Sequence, residues 1–189
     1  SYFGINKAES MKHSFPYYHQ ADAMDCGPTC LRMIAKYYGK SYSLQTLRAR
    51  SFISREGVSL LGISDAGEAV GFGTAGVYVS FEQFITDVPL PCILHWNQNH
   101  FVVCYGIKKR KGEYWFQIAD PGKQIVTYNE QEFKKCWLST RTEGEDVGTA
   151  LVLEPGPDFY HREDEPEIRE RGLFFFLRYL TPYKKQLIQ

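Results

Sequence analysis

The sequence predicts an α+β domain. Helical periodicity dominates before Gly71, strand-type segments cluster after it, and the two kinds do not alternate as in a repeating βαβ chain. At 189 residues there is room for one well-buried domain plus an appendage. The expected arrangement is an N-terminal helical lobe packed against a C-terminal antiparallel sheet, with the cleft between them as the place for chemistry.

The elements follow in order. Residues 1–18 show no clear period, and Pro16 disfavours helix just before it, so Phe15–Tyr18 reads as an extended approach. After Gly27-Pro28, Cys30, Leu31, Ile34, Ala35 and Tyr38 recur at helical spacing until Gly39, which predicts a buried helix over 28–38. Ser43 and Ser59 each stand where an N-cap belongs, the first before Leu44 and Leu47, the second before Leu60, Ile63, Gly67 and Val70. Strands are predicted over 74–79, 92–96, 101–108, 114–119, 125–128 and 150–153, with a helix over 130–137 and a hairpin turn at Lys111-Gly112. From Pro155 to Arg171 proline and charge dominate, as in a solvated linker. The segment 173–185 is aromatic and basic, too short to span a bilayer, and reads equally as a membrane-interface helix or as a plain amphipathic tail.

Composition narrows the function classes. Twenty-two acidic and 22 basic residues leave no net charge to draw the chain to nucleic acid. Five cysteines at irregular spacing do not form the even set of a secreted disulfide scaffold, so a reducing compartment is expected. No signal peptide and no apolar run of ~20 residues is present, which predicts a soluble polypeptide. The abrupt opening at Ser1 and the basic close suggest a piece of something larger.

Cys26 stands where a loop meets the predicted helix, and unpaired N–H groups with the helix dipole favour a thiolate there. A thiolate nucleophile needs a base, and the base an orienting acceptor. His100 opens the run Phe101-Val102-Val103, and Asp120 follows the neighbouring strand before Pro121-Gly122, so a hairpin would bring both to one sheet edge. Gln20, six residues before Cys26, offers a side-chain amide to an oxyanion. Each residue alone has a plainer reading: a strand-edge histidine, a turn carboxylate, a surface glutamine and a small buried cysteine, the last applied here to Cys30. A rival constellation is a metal site of His19, Cys26, Cys30 and His100, which has one cysteine pair with a three-residue gap and no second pair.

The string from Gln20 through Asp25-Cys26-Gly27-Pro28 and Cys30-Leu31 to Ile34, then Tyr37-Tyr38-Gly39, resembles the opening motif of the bacteriocin-processing peptidase domains of peptidase-containing ABC transporters. Gly57–Ala66, Leu90–Trp96, His100–Val103 and Ile118–Pro121 continue the resemblance in order, over about residues 13–155. It implies a papain-like cysteine peptidase fold with Cys26 as nucleophile, His100 as general base and acid, Asp120 as orienting acid and Gln20 as oxyanion donor. It implies a peptidase domain over 1–155 and a segment over 156–189 leading toward a membrane domain. The implied reaction removes a secreted peptide's leader after a Gly-Gly-type pair, at the cytoplasmic face of the membrane and coupled to export. The implied partners are the leader and the transporter's membrane and nucleotide-binding domains, with no nucleic acid. No metal or cofactor is implied for this chain. It has no phosphate loop of the G-x-x-x-x-G-K-[ST] type, so ATP is expected only on the nucleotide-binding domain. Two other readings stay open: a leader-binding tether with little cleavage, and a papain-fold enzyme of different specificity.

Overall fold

A computed structural model describes residues 14–51, 57–142 and 144–161. The predicted aromatic and basic segment 173–185 lies outside the described residues.

A single 3-10 turn, Ala23–Asp25, runs directly into α1 (Cys26–Tyr37), followed by α2 (Leu44–Arg50) and α3 (Leu60–Ala69). Helix α1 starts two residues earlier than the sequence predicts, because the 3-10 turn has already set helical geometry ahead of Pro28. Ser43 and Ser59 act as the expected N-caps, their hydroxyls accepting from the Thr46 and Gly62 amides at 3.2 and 3.0 Å.

The chain then enters the sheet: β1 (Phe72–Ser80), α4 (Phe81–Asp87), β2 (Cys92–Trp96), β3 (His100–Arg110), β4 (Glu113–Ala119), β5 (Ile125–Asn129), α5 (Glu130–Trp137), β6 (Leu138–Thr142) and β7 (Glu145–Pro155). Strand order is β1-β7-β2-β3-β4-β5, with β6 also paired to β7, and each of these pairings is antiparallel. Helix α4 and strand β6 were not expected from the sequence. Helix α4 has only seven residues, too few for a period to show, although its capping box of Ser80 with Gln83 is a local signal that a reader can find.

The sheet is covered on both faces. Ile93, Phe101, Val103 and Leu151 pack against α1, α2 and α3, while Leu94, Trp96, Val102 and Ala150 pack against α4 and α5. That alternation is the period-two consequence of the pleat. The packed domain also runs past the expected boundary at 155. Gly156 donates to the Gly71 carbonyl at 2.9 Å, and Phe159 is fully buried against Phe72 and Tyr38. Composition from Pro155 on reads as linker, but burial of Phe159 holds the part of it up to residue 161 against the domain.

Among the described residues no helix is long and apolar enough to cross a membrane.

Candidate active site

Cys26 is the first residue of α1 and 5% exposed, and its side chain is a hydrogen-bond partner of His100. Gly27 behind it is tightly packed: a Cβ there would run into the side chains of Val58 and Ile63, which would have to shift to admit it. The start of α1 therefore sits close against α3 and against Val58 ahead of it.

His100 is the first residue of β3, directly opposite Trp96 in the register of β2 and β3. The connecting turn uses left-handed backbone at Asn97 and Gln98, and its Asn97 amide donates to the Cys136 carbonyl at 2.9 Å. Because Trp96 is buried against Phe133 and Tyr128, the strand start that carries His100 is anchored from below.

Asp120 follows β4. Pro121 supplies no N–H, so the first amide that can turn back to the carboxylate is that of Gly122, which donates to Asp120 Oδ1 at 2.9 Å. The same oxygen pairs with His100 Nε2 at 2.7 Å, with Asp120 1% and His100 22% exposed. With Nε2 committed to Asp120, Nδ1 is the ring nitrogen left for Cys26.

Electrostatics follow from this geometry. Burial works to lower the His100 pKa, but hydrogen bonds and charge from Asp120 and Cys26 overcome it and push the imidazole up to about 9. Burial works to raise the Asp120 pKa, and the His100 bond and charge, the Gly122 amide and Lys123 together hold it below its ordinary value. The pair is thus arranged as carboxylate and imidazolium at neutral pH.

Gln20 reaches the same place through the backbone, its amide donating to the Pro121 carbonyl at 2.8 Å. A Cβ on Gly122 would meet Asp120 Oδ1, Gln20 Oε1 and His100 Cε1, each at 3.4 Å, so all three side chains converge on that glycine. Gln20 Oε1 is buried and has no hydrogen-bond partner among the described residues.

The four residues expected from the sequence are therefore brought together. Cys30 separates from them: it is fully buried, donates to the Phe101 carbonyl at 3.4 Å, and burial raises its thiol pKa well above the usual value. The rival metal set does not assemble, since among the described residues no three His, Cys, Asp or Glu side chains form a ligand cluster. His19 instead lies 3.4 Å from the Tyr17 hydroxyl.

Sequence reasoning missed three supports. Tyr17 donates to the Asp120 carbonyl at 2.9 Å across 103 residues of chain, which no local pattern reveals. The Gly122 amide was legible in the Asp-Pro-Gly string. Arg48, paired with Asp25, had no local signal.

Comparison with known proteins agrees with this geometry. Residues 14–142 match the Peptidase C39 family. The chain is 32% identical over 162 residues to the lactococcin-G-processing and transport ATP-binding protein LagD of Lactococcus lactis subsp. lactis, covering 83% of this chain and 21% of that protein. It is 29% identical over 158 residues to the colicin V secretion/processing ATP-binding protein CvaB of Escherichia coli, covering 84% and 21%. The chain thus spans about a fifth of the length of the curated relatives it matches. Among solved structures it resembles a double glycine motif protease from an AMS/PCAT transporter in complex with the leader peptide, with TM-score 0.65, 30% identity, and 75% and 92% of the two chains covered. It also resembles the peptidase domain of Streptococcus ComA, with TM-score 0.61, 27% identity, and 75% and 99% covered. With a cysteine at a helix start, a histidine and aspartate at one sheet end, and a match over most of the described residues, the chain belongs to the Peptidase C39 family of cysteine peptidases.

Proposed function

We propose that this chain is the peptidase domain of a transporter that processes its own cargo. Its reaction is to remove the leader of a secreted peptide, of the bacteriocin or lanthipeptide kind, after a Gly-Gly-type pair. The observation that carries the reading is the convergence of Cys26, His100 and Asp120, with His100 raised to about 9 between a carboxylate and a sulfur. The relatives that share this domain are processing and transport proteins, and one structural relative is a double glycine motif protease bound to a leader peptide.

In this mechanism the Cys26 thiolate attacks the carbonyl carbon of the second small residue. The Gln20 amide donates to the oxyanion, and His100 passes its proton to the departing amine as the thioester forms. Neutral His100 then takes a proton from water, whose oxygen attacks the thioester and releases the leader and the Cys26 sulfur. Asp120 keeps Nε2 occupied and stabilises the imidazolium throughout. Every proton step is assigned to a side chain of this chain, so the reaction as proposed uses no metal or cofactor. ATP binding, the membrane domain and export at the cytoplasmic face are assigned to the larger protein, toward whose membrane domain residues 156–189 lead.

Mass spectrometry of a leader peptide ending in Gly-Gly plus a short core tests this directly. The parent is expected to cut once, after the second glycine, and Cys26→Ala to lose at least about 10⁴-fold in rate. An equally fast Cys26→Ala variant would end the catalytic reading, and an uncut but tightly bound peptide would replace it with a tether.

A further inference from the structure

The residue immediately ahead of Cys26 has an unusual placement. Asp25 is the N-cap of α1, where an aspartate ordinarily accepts N–H bonds from the first turn, yet its side chain makes no such bond. The carboxylate is fully buried and turned away to α2. Arg48 Nε lies 2.5 Å from Oδ1 and Arg48 Nη2 2.8 Å from Oδ2, a two-pronged ion pair. Oδ2 also accepts the Asp22 amide at 3.0 Å, and Asp22 in turn caps the 3-10 turn. Arg48 keeps 41% of its side chain exposed, so the cation reaches in from the surface to meet a fully buried carboxylate.

We propose that Arg48 is a positioning residue for the peptidase reaction. It holds the Asp25 carboxylate away from the first turn of α1, so that the positive helix end acts on the Cys26 sulfur and the acyl oxyanion instead of on Asp25. The inference rests on Cys26 being the nucleophile. Physically, an aspartate left alone at this site has two choices. It swings to the helix N-terminus and cancels the partial positive charge there, or it stays put as an unpaired buried charge one residue from a thiolate. Both oppose a developing anion. The guanidinium fork prevents both because it fixes the carboxylate plane as well as neutralising it, which a lysine ammonium does not do.

The test compares R48Q, D25N/R48Q and R48K with the parent. Two readouts are used: alkylation of Cys26 by iodoacetamide, mapped by mass spectrometry, and kcat and KM on the Gly-Gly leader peptide. R48Q is expected to slow both alkylation and kcat by roughly 10- to 100-fold with KM within about threefold. D25N/R48Q is expected to regain most of that loss, because the charge Arg48 restrains is gone. R48K is expected to lie between R48Q and the parent. A role confined to packing predicts no rescue by D25N, so a double variant no faster than R48Q overturns the proposal, as does an R48Q protein that alkylates at the parent rate. If R48Q does not fold, R48K against D25N/R48K decides: rates equal to the parent in R48K, or no rescue in the double variant, overturn it equally. Alkylation needs no peptide, so failure of the leader reading shows up separately, as uncut leader with the alkylation ranking intact.

Discussion

On the α4/α5 face of the sheet, Phe84, Phe116, Phe133 and Trp137 are fully buried and interlocked, with Phe116 and Phe133 stacked 3.8 Å apart. On the α1 face the same depth of burial holds Asp25, Asp120, Gln20 Oε1 and the Thr29 hydroxyl, the last two without hydrogen-bond partners among the described residues. One face satisfies itself with apolar contact, and the other holds two buried carboxylates, Asp25 and Asp120, by directed bonds. The contrast teaches where stability and function are separable: the aromatic face rigidifies β2 and β3 from behind, and the polar face spends that rigidity on orienting His100.

The sharpest way to break the comparison is on the aromatic side. Trp137 packs directly on Gly148, where a Cβ would run into the indole ring, and its indole N–H donates to the Thr149 carbonyl at 3.1 Å. Trp137→Ala leaves a cavity and removes the indole bond to Thr149, and is expected to lower unfolding free energy by about 3–5 kcal/mol in denaturant titration. The turnover of molecules still folded should stay near the parent value. A stable Trp137→Ala protein with lost turnover would reverse the assignment of roles.

Asp120→Asn tests the polar face, with an expected loss of about 10²- to 10⁴-fold in kcat/KM and little change in leader binding. The pH dependence gives the sign. His100 is raised to about 9, so the imidazolium that donates to the leaving amine persists to that pH, and the alkaline limb of the parent profile should fall there. Removing the Asp120 charge removes the chief raising influence, and the limb should move to lower pH. For stability, His100 contributes fully below its ordinary 6.5 and loses that contribution as pH rises through about 9, whereas Asp120 contributes above its ordinary 3.8 and loses it on acidification. An alkaline limb that does not move in Asp120→Asn would count against the pair.

Tyr17→Phe is the mildest probe. It removes one bond to the Asp120 carbonyl and is expected to cost about 0.5–1.5 kcal/mol of stability and less than tenfold in kcat, read by melting and by turnover on the leader. A larger kinetic loss would move Tyr17 from support into the reacting machinery.

Local order in this protein is written locally. The apolar spacing after Pro28, the serine caps at 43 and 59, the α5 span and the clustering of strands after Gly71 all appear where residues i to i+4 or i to i+2 carry the information. The candidate site was legible for the same reason, since Cys26 at a helix start, His100 at a strand start and Asp120 before Pro-Gly each sit at an element boundary with its own signature. Tertiary structure decided what joins residues far apart: Tyr17 with Asp120, Arg48 with Asp25, the indole of Trp137 over Gly148, and Phe159 returning to the core. Periodicity says which face of an element is apolar, but it carries no register between elements. Which cation meets a buried carboxylate, or which glycine lies under a ring, is therefore fixed only when the helices and strands close on one another.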